Sequence, residues 1–278
     1  MNIADRQKPA PGALFVDHVS HFVADLDAAA RVFESLGMKV TPVSVQQTPE
    51  GPAGASNRCV MLEEGYIELL SPTHDTPAAE RMRTLMKRYA GVHLMCYGTP
   101  EAEAEHGRLQ AHGYEPQPLV DLSREVDGGT ARFKVVRPAP EKMPEGRIQY
   151  VQQLTPEHLW RDGDINALRL DEVFIVADEL PQTTARWADF AGLIPQPERD
   201  GVRLETARGR IFIGTREAVA KRLGEAPAAP AIAGYALACS HPAELAARCK
   251  AGGIAVRKRG GRYSATLPAA AGGVLVFG

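Results

Sequence analysis

Cysteine is scarce and scattered: the 278 residues hold four, at positions 59, 96, 239 and 249, with no Cys-x-x-Cys spacing. That excludes a disulfide framework and a thiolate zinc site, and it fits a reducing compartment. No apolar run approaches the roughly 18 residues of a membrane span. Met1 to Gly12 is polar and proline-bearing without an apolar signal core, so a soluble, cytoplasmic protein is expected. Charge of one sign is missing too. A formal net charge of −2 with acids and bases interspersed leaves no basic stripe for nucleic acid or an anionic membrane. A small molecule is the partner these absences leave. The length suits two ordinary domains, and 44% hydrophobic residues suffice for their cores.

What the chain does have is a repeat. Val16-Asp17-His18-Val19-Ser20-His21-Phe22-Val23-Ala24-Asp25 reads as a strand running into an Asp-rich turn. Leu26, Ala29, Ala30, Phe33 and Leu36 then recur at helical spacing until Gly37 stops the helix. Residues 45–57, turn-rich and poor in large apolar side chains, read as a loop over a sheet. Arg58–Glu64 and Tyr66–Ser71 close the unit as two strands joined at Gly65, giving βαβββ. Worn copies open at Gly91-Val92-His93, Leu170-Asp171-Glu172 and Gly234-Tyr235-Ala236. The pattern predicts an α+β protein of four modules in two tandem domains. The first domain covers residues 13–156, with modules at 13–76 and 90–156. The second covers 168–278, with modules at 168–222 and 232–278. Pro77–Tyr89 is the connector helix, and 155–167 the linker between domains.

Folding two modules together makes a half-barrel whose concave face collects one side chain from each equivalent strand. In the first half the alignment collects His18, Glu68, His93 and Gln152; in the second it collects Glu172, Phe212, Ala236 and Val276, without a ligand set. A carboxylate in mid-strand is costly to bury unless paired or metal-bound. Two imidazoles and a carboxylate match a facial divalent-metal site with open positions for substrate oxygen. Such a metal can polarise a carbonyl, stabilise an enediolate or activate oxygen or water. Gln152 is a ligand through its amide oxygen, a substrate contact or a structural remnant, and a shift of one residue would put Gln153 in its place. Phe22, Tyr66, Tyr97, Tyr150 and Asn57 are the expected substrate contacts, with the tyrosines converging although aromatics are only 6% of the chain. His21 is expected to pack beneath the helix, and Cys96 to be buried opposite His93.

The paired βαβββ repeats, Asp17-His18-Val19, Val23-Ala24-Asp25-Leu26-Asp27 and Tyr66-Ile67-Glu68-Leu69-Leu70-Ser71-Pro72 resemble the vicinal oxygen chelate superfamily, and Gly54-Ala55-Ser56-Asn57 resembles its glyoxalase-like domain proteins. The resemblance covers residues 14–160 well and 168–278 weakly. It implies metal positions at His18, Glu68 and His93, with Gln152 where glyoxalase I has a carboxylate that moves the proton, so Glu68 and Gln152 become the catalytic candidates. A divalent Zn, Ni, Mn or Fe is the implied cofactor, acting in a lyase or isomerase on a small carbonyl- or diol-bearing metabolite. An extradiol-type dioxygenase and a metal-free drug- or metabolite-binding protein are the alternatives, in a monomer or homodimer.

Overall fold

The structure, a computed structural model, describes residues 2–278. Each module is βαβββ in chain order. The first holds β1 (Phe15–Phe22), α1 (Leu26–Ser35), β2 (Ser44–Thr48), β3 (Gly51–Glu64) and β4 (Tyr66–Pro72); α2 (Pro77–Met86) connects it to the second. That one holds β5 (Gly91–Gly98), α3 (Ala102–Ala111), β6 (Val120–Val126), β7 (Gly129–Val136) and β8 (Arg147–Gln153). The third runs through β9 (Asn166–Val176), α4 (Leu180–Ala191), β10 (Gln196–Glu198), β11 (Gly201–Glu205) and β12 (Arg210–Gly214), followed by α5 (Arg216–Leu223). The fourth comprises β13 (Ala231–Cys239), α6 (Pro242–Ala251), β14 (Val256–Arg259), β15 (Arg262–Thr266) and β16 (Val274–Phe277).

The signals that start and stop these elements are local. Asp25 caps α1 by accepting from Asp27 N and Ala28 N at 2.9 Å each, and Gly37 takes φ 78° just past its end. The turn-rich stretch 45–57 is not a loop: it forms the β2–β3 hairpin. Its small side chains reflect packing, since a Cβ on Gly54 would lie 2.1 Å from Thr76 Oγ1 at the start of α2. Small residues let the connector helix press onto the strand.

Strands β1–β8 close on themselves. The ring runs β4-β3-β2-β6-β7-β8-β5-β1 and back to β4, with the two modules joined by β1–β5 on one side and by the single pair Gln47↔Ser123 on the other. The first domain is therefore a barrel rather than a half-barrel, and α2 lies at its mouth with Met82 in its interior core. Strands β9–β16 form an open sheet joined to the barrel through β3–β9. The concave face of that sheet is filled: Val219 and Leu223 of α5 pack there with Phe174, Phe212, Val274 and Val276. The largest apolar core lies between the domains, where Val19, Met95 and Tyr97 meet Val173, Ile175, Phe190 and Tyr235. At roughly 25 cal/mol per Å² of buried apolar surface, so continuous a core ties the two halves into one body.

Candidate active site in the first barrel

Two bulges decide which side chains enter the barrel. Along β1–β5, His18 pairs with Cys96 and Ser20 with Leu94, but Asp17 on β1 and His93 on β5 have no opposite number. Each is an extra residue in its strand, and the alternation of faces breaks there. The same bulges recur between β9 and β13, at Asp171 and Ala233. Four corner pairs follow from the registers. Glu68 lies beside Ser20, two residues past His18; Gln149 lies beside Cys96, two residues past Leu94. The second domain repeats this with Glu172 and Phe212, then Gly234 and Val276. Only the first corner carries an imidazole and a carboxylate.

His18 and Glu68 are each 4% exposed. They line a small interior cavity of about 30 Å³ with Gln46, Asn57, Tyr66, Leu94, Arg124, Arg137, Arg147 and Gln149. His18 Nδ1 lies 2.6 Å from Asp17 Oδ1, and the ring stacks on Tyr66 with centroids 4.3 Å apart. Its Nε2 makes no hydrogen bond among the described residues and stands 4.0 Å from Glu68 Oε2. Glu68 accepts from Ser20 Oγ at 2.5 Å, Asn57 Nδ2 at 2.6 Å and Gln46 Nε2 at 3.1 Å. Asn57 in turn accepts from Arg124 Nη1 at 2.9 Å. Gln153 Nε2 steadies Asp17 from β8, 3.2 Å from both its oxygens. Burial and the neighbouring carboxylates push the Tyr66 phenol well above its ordinary range, so it packs as a neutral ring.

Several residues expected at the site lie elsewhere. His93, fully buried, stacks on Tyr89 at 4.1 Å and bonds through Nε2 to Tyr89 O at 2.8 Å; the bulge takes it out of register with His18. Burial pushes its pKa down to about 4. Gln152 faces outward and accepts from Ala102 N at 3.1 Å, serving the first turn of α3. Tyr97 and Tyr150 stack on each other outside the barrel, and Tyr150 OH donates to Phe190 O of the second domain at 2.5 Å. His21 packs beneath α1 as expected, edge-on to Phe33 with ring centroids 5.6 Å apart, and there joins the domain junction, with Nε2 3.0 Å from Tyr235 OH and Nδ1 3.1 Å from Ala271 O. Phe22, Tyr66 and Asn57 do line the barrel or its mouth. Cys96 is buried as expected, yet on the His18 side. Glu172, at the second domain's equivalent of His18, is held by Arg210 and Arg262.

The sequence reading missed Gln149 and the arginines. Their signal is the alternation Arg147-x-Gln149-x-Val151-x-Gln153, which puts four inward positions on β8. Aligning Tyr66-x-Glu68 on Tyr150-x-Gln152 matched chemistry at the cost of parity. A larger groove, about 690 Å³, lies between the domains beside Tyr89, Arg216 and Gly273, but none of its lining residues is a histidine.

A family model described as a glyoxalase-like domain matches residues 16–191. The chain belongs to the glyoxalase-like domain family. Solved structures agree in fold: a hypothetical protein from Staphylococcus aureus (TM-score 0.68, 14% identity, 95% of this chain and 98% of that one) and a 4-hydroxymandelate synthase mutant from Streptomyces coelicolor (0.58, 14%, 96% and 92%). The Mn(II)-bound glyoxalase from Novosphingobium aromaticivorans is similar over 95% of this chain and 81% of its own, with TM-score 0.58 and 12% identity. At these identities the likeness establishes the vicinal oxygen chelate fold alone. No curated protein matches in sequence.

The donors of this glyoxalase-like chain do not fit the divalent metal site expected of it. No group of three or more His, Cys, Asp or Glu side chains among the described residues is placed to hold a metal ion. The equivalent of His18 in the second module is Leu94, Glu68 already accepts three hydrogen bonds, and Gln149 Oε1 accepts from Arg137 Nε at 3.3 Å. Three guanidiniums around the cavity add positive charge where a cation would sit. The His-Glu-His-Gln set is not assembled.

Proposed function

We propose that the first barrel binds a small carbonyl-bearing metabolite and transfers a proton on it, as an isomerase- or lyase-type enzyme, with His18 as the base. One observation carries this reading: a histidine ring fixed at Nδ1 by Asp17 holds its Nε2 free inside a cavity, 4.0 Å from a second carboxylate. Asp17 sets which nitrogen is available, as a carboxylate behind a catalytic histidine does. When Nε2 takes a proton from a carbon next to the carbonyl, the imidazolium lies between Asp17 and Glu68, and both stabilise its charge. The negative charge left on the substrate oxygen faces Arg124, Arg137 and Arg147 and the amides of Gln46 and Gln149. The interior cavity admits only the reacting end, which limits the water that reaches it.

The test is hydrogen–deuterium exchange at carbon. A panel of aldehydes, ketones and 2-oxo acids is incubated in D₂O and followed by proton NMR. The enzyme is expected to wash out the hydrogens next to the carbonyl of at least one compound, and His18→Gln to abolish this while retaining the fold. Exchange that persists undiminished in His18→Gln, or is absent across the panel, rejects the proposal.

A further inference from the structure

A second cavity, about 460 Å³, opens between α2 and the segment joining β7 to β8. It shares two lining residues with the interior cavity, Arg137 and Arg147, so these guanidiniums stand at the passage between the two. Arg81 of α2 joins them at the rim. The remaining wall is largely apolar, with Phe22, Met82, Leu85, Pro138, Met143 and Ile148. Its size is that of an ordinary small-molecule site.

None of the three arginines has an acidic partner. Among the described residues no ion pair reaches Arg81, Arg137 or Arg147, whereas Arg210 and Arg262 are matched by Asp171 and Glu172 and Arg186 by Glu145; Arg124, deeper in the interior cavity, is unpaired as well and bonds Asn57 Oδ1 instead. Arg137 keeps a single hydrogen bond, from Nε to Gln149 Oε1. The one acidic residue of the wall, Glu80, is exposed and pairs with Arg83 at 3.5 Å. Burial, opposed by Glu68 and helped by Arg81, depresses the Arg147 pKa to about 10, and burial with repulsion from Arg147 and Arg81 holds Arg137 well below the usual arginine range. Glu68, which already accepts three hydrogen bonds, offsets these charges only from the interior side; the outer wall holds no carboxylate against Arg137 or Arg147, and a bound anion supplies one.

We propose that this cavity takes an amphipathic anion, its carboxylate or phosphate head held between Arg137 and Arg147 and its apolar body lying along Phe22, Met82, Leu85 and Pro138. The inference rests on and extends the reading of the barrel as a substrate site, since the passage at Arg137 and Arg147 opens into the cavity lined by His18 and Glu68. It names the substrate class as a carbonyl-bearing organic anion with an apolar tail.

Calorimetric titration of the full chain tests it with octanoate, octyl phosphate, octylammonium, acetate and inorganic phosphate. At least one octyl anion is expected to bind at one per chain, more tightly than its tail-less counterpart, and octylammonium not to bind; the preferred anion identifies the head. Arg137→Met and Arg147→Met should each weaken binding by about tenfold or more, the scale of a charge-assisted hydrogen bond. Unliganded, both variants should melt at the same or a higher temperature, because an uncompensated charge has been removed. Arg147→Lys, which keeps the charge without the planar fork, should bind with intermediate strength. Binding of octylammonium as tight as octanoate, no binding of either anion, undiminished binding in the arginine variants, or lower melting of those variants overturns the proposal. Anion binding without carbon exchange would reject proton transfer and leave the anion site standing, whereas exchange on neutral aldehydes without anion binding would do the reverse.

Discussion

Asp17 Oδ1 lies 2.6 Å from Nδ1 of His18, its immediate neighbour in the chain. Adjacent strand residues normally point to opposite faces, and this contact exists because Asp17 is the bulged residue of β1. The bulge turns a chain neighbour into the group that orients a ring.

Asp17→Asn should therefore release the tautomer rather than the fold. An amide in place of the carboxylate can present its NH₂ to Nδ1 and leave Nε2 protonated, which removes the base. Loss of carbon exchange by about a hundredfold or more is expected, on the scale seen when a histidine base loses its orienting carboxylate. The ring nitrogen NMR shifts of His18 should change hands between Nδ1 and Nε2. Unaltered shifts and unaltered exchange together would show that Asp17 only fills space.

Acid should weaken the junction between the domains. His21 is fully buried, and burial holds its pKa at about 4, against 6.5 in the unfolded chain, with His93 adding to the effect. The unfolded state thus binds protons first as pH falls. Stability is complete above about pH 6.5, declines as pH drops towards about 4 and is flat below, with a total on the order of 3 kcal/mol from His21. Burial holds His93 at about 4 as well, so it adds a loss of the same sign. Urea midpoints of the protein and of His21→Gln, compared from about pH 7 to about pH 4.5, measure this: the variant should show the shallower decline. Parallel declines would remove His21 from the account.

The fold and half the site were legible because they rest on local signals. Asp25 followed by an apolar stripe and Gly37 announces a helix, and its recurrence announces the modules. His18 and Glu68 were legible as polar residues in apolar strands. His93 was not, because a bulge has no signature in a strand with no turn residue, and one extra residue turns a matching histidine away from the barrel. Gln152 failed for a related reason: the second module's closing strand runs three residues longer between its inward glutamine, Gln149, and its terminal proline than the first does between Glu68 and Pro72. The arginines were hidden by composition, since a net charge near zero says nothing about three cations placed together around one carboxylate.

Tyr97 and Tyr150 give a paired test of their placement outside the barrel. Tyr150 OH donates to Phe190 O and accepts from Arg108 Nη2 at 3.0 Å, whereas Tyr97 OH is buried with no partner. Tyr150→Phe should cost about 1 kcal/mol, while Tyr97→Phe should be neutral or stabilising, because it removes an unsatisfied hydroxyl. Thermal or urea unfolding gives both values. Neither change should alter octanoate affinity, and a fall in affinity for either would return that tyrosine to the binding site.

The absence of a third ligand can be tested by adding one. Leu94 lines the same cavity as His18 and Glu68 and holds the second module's equivalent of the His18 position, so Leu94→His would complete an imidazole-carboxylate-imidazole set on three strands. The exchange is close to volume-neutral, and the cavity is polar enough to receive the ring. Elemental analysis after purification without a metal-affinity tag should find the unaltered protein with far less than one zinc, nickel, manganese or iron per chain. Leu94→His, reconstituted with manganese or zinc and dialysed, should retain close to one, and adding Glu68→Gln should abolish the gain. Stoichiometric metal in the unaltered protein, lost in His18→Gln, would show that two protein ligands suffice here and would return the chemistry to a bound ion. Failure of folded Leu94→His to retain metal would mean that the arginines beside the cavity, rather than the missing ligand, keep cations out, and Arg147→Met in that background would then be expected to let the metal in.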